Sequence, residues 1–315
     1  MPSFITDRLI GLILYIKYHL FAKQISTKHC LYLNYPDDAI SVTSDARRGR
    51  IISRDGLPQK EEGKLRLVLV SDTHDKHSHL GTLPRCDVFI HSGDILMTSR
   101  QFTASNIARK LDSFNRWLGK IDAPIKVVLS GNHDAGLERL DGDGVRQMLS
   151  NMTHYSFNSS ITIGDDISVF GSPVSEGTSR NRAFQSKLFV DQAKEDAPDS
   201  CTILLLHGPC TDVAIKHKIM IFGHHHSAYG IYLTGDSVRG SPVTGGLTIC
   251  SSNMDDSYRM SQAPIVLDIP MKDTWVPAAL PVQGTDIVVL GAPRKESRSV
   301  SGNRSSKVYA TGESS

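Results

Sequence analysis

Six short apolar runs constrain the fold of this chain most strongly. They are rich in Val, Ile and Leu, and their sequences are LRLVLVSD (65–72), CDVFIHSGD (86–94), PIKVVLSGNHD (124–134), ISVFGSP (167–173), CTILLLHG (201–208) and IMIFGHHH (219–226). Runs of this length and composition are typical of strands that are buried on both faces. LTICSS (247–252) and PIVLDI (264–269) predict two further strands near the end of the chain.

Helix-forming segments lie between these strands. Residues 103–121 carry apolar side chains at helical spacing, and Thr103 is placed to cap the first turn. Residues 142–152 are a weaker helix candidate. Strands that alternate with helices predict a layered α/β fold.

The composition argues against several classes of partner and site. A hydrophobic content of 39% and a charged content of 22% over 315 residues allow a sizeable core. The formal net charge of +2 is too small to indicate nucleic acid or an anionic membrane as the main partner. The five cysteines are widely spaced without a C-x-x-C pair, which argues against disulfides or a zinc-thiolate site. We therefore expect a reducing, cytoplasmic environment.

The N-terminal segment allows two interpretations. Residues 9–16 (LIGLILYI) are apolar, but Lys17 and His19 follow at once and the run is too short to span a bilayer. We expect a helix that packs on the domain or lies at a surface. The alternative is a signal anchor or an organelle-targeting segment, with membrane contact through residues 9–22.

Three parts of the chain differ in composition. Residues 35–64 mix Pro, Asp, Arg and Gly without periodicity, so we assign residues 1–64 to an N-terminal extension and linker. The strand-rich part, residues 65–270, is predicted to form the main folded domain. Residues 271–315 form a C-terminal extension, which ends in a basic, Ser-rich tail after residue 292 that we predict to be disordered.

Metal-binding residue types follow the predicted strands, where the strands end. The closing segments are DTH (72–74), GD (93–94), GNHD (131–134), HG (207–208) and GHHH (223–226). Ligands of open α/β sheets gather at the carboxyl ends of strands, so these segments are expected to meet in one crevice. Glycine beside each site would let the backbone turn sharply there.

The ligand types in these segments restrict the metal. They offer carboxylate, amide and imidazole groups and no thiolate. Such a set suits Mn, Fe, Zn or Mg and argues against a structural zinc site. A carboxylate such as Asp94 can bridge two ions, and two ions about 3.5–4 Å apart can activate a bridging water and clamp phosphoryl oxygens.

The five segments together resemble a known family. SDTH, HSGD, LSGNHD, LLHG and FGHHH are similar to the signature blocks of the calcineurin-like metallophosphoesterase superfamily, over residues 65–270. FNRWLG (114–119), GSP (171–173), FGHHHSAYG (222–230) and PIVLDIP (264–270) resemble the MPPED-type branch, some members of which hydrolyse cyclic nucleotides. The resemblance implies a four-layer α-β-β-α sandwich built on two sheets.

The resemblance also implies roles for eight residues. A first ion would be held by Asp72, His74 and His226, and a second ion by Asn132, His207 and His224. Asp94 would bridge the two ions, and His133 would contact the phosphate and protonate the leaving oxygen. The implied reaction is hydrolysis of a small phosphodiester, such as a cyclic nucleotide, by a metal-bridging hydroxide. The cofactors would be two divalent or trivalent ions, manganese being the first expectation.

Two stretches depart from the family pattern. Only residues 208–218 separate His207 from the next strand, where relatives usually carry a longer segment with a helix. Either a shortened loop replaces that helix, or the gene model is incomplete and His224 and His226 would be misplaced. After GSP, relatives have a Trp-rich stretch, whereas this chain has VSEGTSRNRAFQ (174–185), so nucleobase stacking is not implied there.

Several neighbouring residues have alternative interpretations. Within 174–185, Arg180 and Arg182 either contact a phosphate or belong to a solvated basic loop. Asp134 either orients His133 or lies in a solvated turn. We expect His225 to point away from the ligands. Three other histidines are expected at the surface or supporting the ligands, namely His77, His79 and His91.

Two other functions stay open. One is an interaction scaffold with little activity, although such proteins usually lose ligands and all seven are present here. The other is a phosphoprotein phosphatase. Ser/Thr phosphatases of this fold carry an Arg in GDxVDRG, whereas this chain has GDILMTSR (93–100), which argues against that function.

Overall fold

The computed structural model describes residues 26–35, 49–97, 103–177, 180–213, 215–233 and 246–271, with the backbone of short strands at 237–238, 241–242 and 286–288. The apolar run at 9–16 and the predicted tail after residue 292 lie outside this range. None of the helices within it has the length and hydropathy that a bilayer crossing requires.

Sixteen strands and four α-helices lie wholly within the described residues. Residues 26–28 are helical as well. In chain order the strands are β1 (His29–Asn34), β2 (Arg50–Ser53), β3 (Lys64–Val70), β4 (Val88–His91), β5 (Ile125–Val128), β6 (His154–Tyr155), β7 (Ser159–Ile163), β8 (Ile167–Ser172), β9 (Ile203–Leu206), β10 (Ile219–Phe222), β11 (Gly230–Leu233), β12 (Ser237–Val238), β13 (Ser241–Pro242), β14 (Leu247–Cys250), β15 (Ile265–Pro270) and β16 (Asp286–Val288). The helices are α1 (Ala104–Leu118), α2 (Ala135–Glu138), α3 (Gly142–Met148) and α4 (Lys187–Asp196). All eight predicted strands and both predicted helices are present.

Fourteen strands form two seven-stranded sheets. The order of the first is β2-β1-β15-β3-β4-β5-β6, and that of the second is β11-β14-β10-β9-β8-β7-β16. The run from β3 to β6 is parallel, and so is the run from β8 through β9 and β10 to β14. Both sheets therefore present the carboxyl ends of their parallel strands at an edge.

Alternating side chains assemble the layers. In β3, Leu67 and Leu69 join the core between the two sheets, whereas Val68 and Val70 belong to the core that includes α1. β9 repeats this pattern in the second sheet, because Leu205 faces the intersheet core and Leu204 packs towards α4. This period of two is what a strand buried on both faces requires. The predicted α-β-β-α sandwich is confirmed.

The long helix α1 begins and packs as its sequence predicts. The Thr103 hydroxyl accepts a hydrogen bond from the backbone N–H of Asn106 at 3.3 Å, which caps the first turn. Leu111, Phe114 and Leu118 follow at helical spacing and are buried. Their burial fixes α1 over the first sheet.

Two strands of the first sheet come from upstream of residue 65. β1 pairs in parallel with β15, with Leu31 opposite Ile265, and β2 pairs antiparallel with β1. Both strands lie within residues 1–64, for which the sequence predicted only an extension and linker. β1 has four fully buried residues, but its partner lies near the opposite end of the described chain, so no local pattern indicates the pairing.

The short link between β9 and β10 forms a packed loop. The two strands are parallel neighbours, with Ile219 opposite Ile203. Within the link, Cys210, Val213 and Ile215 are buried in the core that covers the outer face of the second sheet. The described residues of the link therefore pack on the outer face of the second sheet.

Candidate metal centre

The strand ends of both sheets meet at one edge, where they bring the seven predicted ligands together. The two sheets are joined there by a backbone bridge between Ser71 and Ser252. Across this junction the His224 N–H donates to the Asp72 carboxylate at 2.9 Å. The His207 ring also crosses it, because its Nδ1 lies 2.9 Å from the carbonyl oxygen of Ser92.

The backbone is strained at the predicted ligands. Among the described residues, eight non-glycine residues have a positive φ, and four of these are the predicted ligands Asp72 (53°), His74 (42°), Asp94 (55°) and His224 (62°). Such a conformation costs about 1–3 kcal/mol per residue and persists where the surrounding structure imposes it, often at functional sites. Its concentration here marks this edge as a functional centre.

The neighbouring glycines serve a different purpose from the one expected. Of those in the ligand segments, Gly93 alone has a positive φ (101°), so the other sharp turns fall on the ligands themselves. At Gly223 the requirement is space. A Cβ there would lie 2.3 Å from Oδ2 of Asp72 and 1.9 Å from the Ser71 hydroxyl.

A first group of metal-binding side chains consists of Asp72, His74 and His226. Their ligand atoms all lie within 4.8 Å of one another. Nε2 of His226 is 3.4 Å from Oδ1 of Asp72 and 3.4 Å from Nε2 of His74. Three ligand atoms from both sheets therefore point at one small volume.

A second group surrounds the amide oxygen of Asn132. This oxygen lies 2.9 Å from Nε2 of His207 and 2.9 Å from Nδ1 of His224. Asp94 stands between the two groups, with Oδ2 at 3.7 Å from Nε2 of His74 and Oδ1 at 3.3 Å from Nε2 of His207. The predicted bridging carboxylate thus faces both groups.

Backbone carbonyl groups orient three of the imidazoles. Nδ1 of His74 lies 3.1 Å from the Leu96 oxygen, and Nδ1 of His226 lies 3.0 Å from the Asp255 oxygen. His207 makes the equivalent contact with Ser92. A ring whose Nδ1 donates to a carbonyl keeps Nε2 available as a ligand.

The charges of the site fit a bound cation. Asp72 and Asp94 are 0% and 2% exposed, and within the described chain neither forms an ion pair with a lysine or arginine. Buried carboxylates are normally paired or bound to metal. Burial opposes ionisation of Asp94, but His207, His133 and His74 together hold its pKa well below the usual range.

The histidine pKa values point the same way. Burial lowers the pKa of His74 and of His224 to about 4, so both are neutral, ligand-competent imidazoles at pH 7. Burial also opposes the charge on His207, but the Asp94 and Asp72 carboxylates raise its pKa to about 9. A bound metal ion would displace this proton and would balance the negative charge of the two carboxylates in its place. The donor set therefore fits a metal centre.

His133 lies beside the two groups. Its backbone N–H donates to Oδ1 of Asp94 at 2.7 Å, and its Nε2 is 4.0 Å from Oδ2 of the same carboxylate. The ring is buried, yet it lines the cleft that opens onto the site. His133 also forms a third possible metal group with His74 and Asp94, so its role as a proton donor stays a prediction.

Comparison with known proteins agrees with this geometry. The model of the calcineurin-like phosphoesterase family matches residues 65–228, which is more than half of the chain. The chain belongs to the calcineurin-like phosphoesterase family. Members of this family use divalent metal ions, and the Asp and His groups described above are those that could bind them.

Relatives of this chain include animal proteins. It is 24% identical over 262 residues to the human protein named Metallophosphoesterase domain-containing protein 1, covering 67% of this chain and 73% of the human one. It is also 25% identical over 250 residues to a UPF0046 protein of Caenorhabditis elegans, covering 67% and 83% of the two chains.

Four other histidines near the site have different surroundings. His225 lines the cleft, but it belongs to none of the possible metal groups found in the described residues. His91 is fully buried and its Nε2 lies 3.0 Å from the Thr73 hydroxyl, so it supports the DTH segment. His77 is buried against Phe114 and Trp117, and His79 is exposed.

Neither interpretation of Asp134 is correct. Its carboxylate is fully buried and accepts hydrogen bonds from the backbone N–H groups of Ile95, Leu96 and Gly131. Asp134 therefore ties the GNHD segment to the loop that follows Asp94. The contact depends on the folded positions of two loops, which sequence spacing does not indicate.

The two arginines of the loop after GSP do not line the cleft. Arg180 and Arg182 are both exposed. The residues that do line it are Asp94, Asn132, His133, His224, His225, His226, Asp256 and Tyr258.

The sequence did not single out Tyr258, Asp255 or Asn181 as parts of the site. Tyr258 and Asp255 follow β14, which is parallel to β10 and so ends at the same edge. The ring centroid of Tyr258 lies 5.1 Å from those of His74 and His226. For Tyr258 and Asp255, the one signal in the sequence was their position after a predicted strand. No sequence feature indicated Asn181.

Proposed function

We propose that this protein hydrolyses a small phosphodiester with two metal ions, and that a cyclic nucleotide is the first natural substrate to test. The observation that carries this proposal is the arrangement of Asp94. Its Oδ2 faces His74 at 3.7 Å, while its Oδ1 faces His207 at 3.3 Å. A carboxylate that faces two ligand groups can bridge two ions, as required for in-line phosphoryl displacement.

The charge of the cleft supports metal dependence. Its lining residues in the described chain include no lysine or arginine. Bound ions would therefore be the main source of positive charge for a phosphate, beside the histidines of the lining. Two bound ions would supply that charge and a water activated at neutral pH. His133, which is in the cleft beside Asp94, would donate a proton to the leaving oxygen.

The dimensions of the cleft favour a small ester. Its volume is about 230 Å³, which is at the small end for ligand sites. Tyr258 is 38% exposed at its mouth and offers an aromatic face on which an aryl group or nucleobase can stack. These features argue against a folded phosphoprotein as the substrate.

A metal-reconstitution assay tests this proposal. The protein is stripped with a chelator, reloaded with Mn, Fe, Zn or Mg, and given bis(p-nitrophenyl) phosphate, p-nitrophenyl phosphate, cyclic nucleotides and a phosphopeptide. We expect metal-dependent hydrolysis that is highest with Mn, with the aryl diester favoured over the monoester by at least about tenfold, or roughly 1.4 kcal/mol.

Two results would contradict the proposal. A protein that carries two ions per chain and hydrolyses none of these esters would be an interaction scaffold. A protein that prefers the phosphopeptide would be a phosphatase.

A further inference from the structure

One contact of His133 is not explained by metal binding. The side-chain amide nitrogen of Asn181 lies 3.1 Å from Nε2 and 3.3 Å from Nδ1 of the His133 ring. Asn181 belongs to the loop between β8 and α4, outside the five ligand segments. It is half-buried, whereas Arg180 and Arg182 on either side of it are exposed.

We propose that Asn181 is a positioning residue, which holds the His133 imidazole in the orientation needed to reach the ester oxygen. The inference deepens the function proposed above and rests on it.

The His133 ring needs such a contact. Within the described chain Asn181 supplies the one close polar contact of the ring, since Oδ2 of Asp94 is 4.0 Å from Nε2. A nitrogen this close to both ring nitrogens lies against the face of the ring and limits its rotation. Its other close neighbours are ring contacts with His74 at 4.5 Å and Tyr258 at 6.1 Å between centroids. The χ2 torsion of histidine has a broad energy profile, so a ring without such a contact samples a range of orientations.

The backbone holds Asn181 in place for this role. Its carbonyl oxygen accepts a hydrogen bond from the side-chain amide of Asn132 at 3.0 Å. Two residues further on, the N–H of Ala183 donates to the Asn132 carbonyl at 3.2 Å. The N–H of Phe184 then donates to the Glu138 carboxylate at 2.8 Å. The loop is thus joined to the GNHD segment by main-chain groups.

These contacts separate two functions of one residue. The main chain of Asn181 orients Asn132, a predicted metal ligand, while its side chain contacts His133. A change of side chain therefore tests the second contact and leaves the first in place.

The Asn181→Ala variant tests the inference by kinetics. We expect it to keep its metal ions and a KM within about twofold of wild type, while kcat falls about 10–100-fold, as for removal of other groups that orient a functional side chain. Arg180→Ala is the matched control, because its side chain is exposed on the same loop, and its kcat is expected to stay within about twofold. Asn181→Gln, which keeps the amide, is expected to recover part of the loss.

A double-mutant cycle identifies the partner. In a His133→Ala background, Asn181→Ala is expected to change kcat by less than about twofold, because its partner is already absent. Equal effects of Asn181→Ala in both backgrounds would overturn the inference, as would a loss of metal.

A structural readout keeps this inference separate from the proposed function. The full-length, zinc-loaded protein is studied by long-range ¹H–¹⁵N NMR of histidine rings, and the His133 signals are assigned from His133→Ala. Asn181→Ala is expected to shift or broaden the His133 signals, and Arg180→Ala to leave them unchanged. Unchanged His133 signals in Asn181→Ala would overturn the positioning role, whether or not the wild type hydrolyses an ester.

Discussion

Replacement of Asp94 by alanine is expected to remove both metal ions and to lower turnover by at least about three orders of magnitude. Asp94 is the one predicted ligand whose two oxygens face both groups, at 3.7 Å from His74 and 3.3 Å from His207. Without Asp94, each group keeps its three other ligands. The site nevertheless loses the one carboxylate that faces both groups and balances the charge of bound cations. Metal content by mass spectrometry and hydrolysis of bis(p-nitrophenyl) phosphate check the result.

The control for this variant is Asp256→Ala. Asp256 lines the same cleft, but it is absent from the possible metal groups of the described residues. The Asp256→Ala variant is therefore expected to keep two ions per chain. If Asp94→Ala also keeps two ions while its circular dichroism matches wild type, Asp94 does not bridge them.

Replacement of His133 by alanine is expected to leave the metal content near wild type and to lower turnover by about two to four orders of magnitude, the contribution of a general acid. The loss should be larger for esters with poor leaving groups, because these depend more on protonation. The comparison of p-nitrophenyl and alkyl esters of phosphate measures this difference.

The control for this variant is His225→Ala. His225 lines the same cleft but lies outside the possible metal groups of the described residues, so it is expected to keep its metal and most of its activity. A His133→Ala protein that loses metal would show instead that His133 is a ligand. The structure makes this a sharp test, because His133 also forms a metal-capable group with His74 and Asp94.

The central strands were predictable because their residues are buried on both faces. In β3, the alternation of Leu67 and Leu69 with Val68 and Val70 places apolar groups in two cores at once. Such a segment has to be apolar throughout, and the signal is local. β1 shows the same alternation over four residues, with Cys30 and Tyr32 in one core and Leu31 and Leu33 in the other. Its place in the sheet, however, depends on its pairing with β15, which lies far away in the sequence.

The metal ligands could be predicted from the sequence for a similar reason. Each follows a parallel strand, and parallel strands end at a common edge. The groups that orient these ligands could not be predicted, because their contacts depend on how the loops fold. Asp134 meets the loop after Asp94 through backbone N–H groups, and Asn181 reaches His133 from another loop. Neither contact has a characteristic spacing or composition. The same holds for the space requirement at Gly223.

We propose that two metal ions bind on either side of Asp94. Crystals soaked in Mn²⁺ and measured near the manganese absorption edge test it directly. We predict two anomalous difference peaks about 3.5–4 Å apart with the Asp94 carboxylate between them, one beside Asp72 and His226 and the other beside Asn132 and His207. A single peak, or peaks remote from Asp94, would show that Asp94 does not bridge two ions.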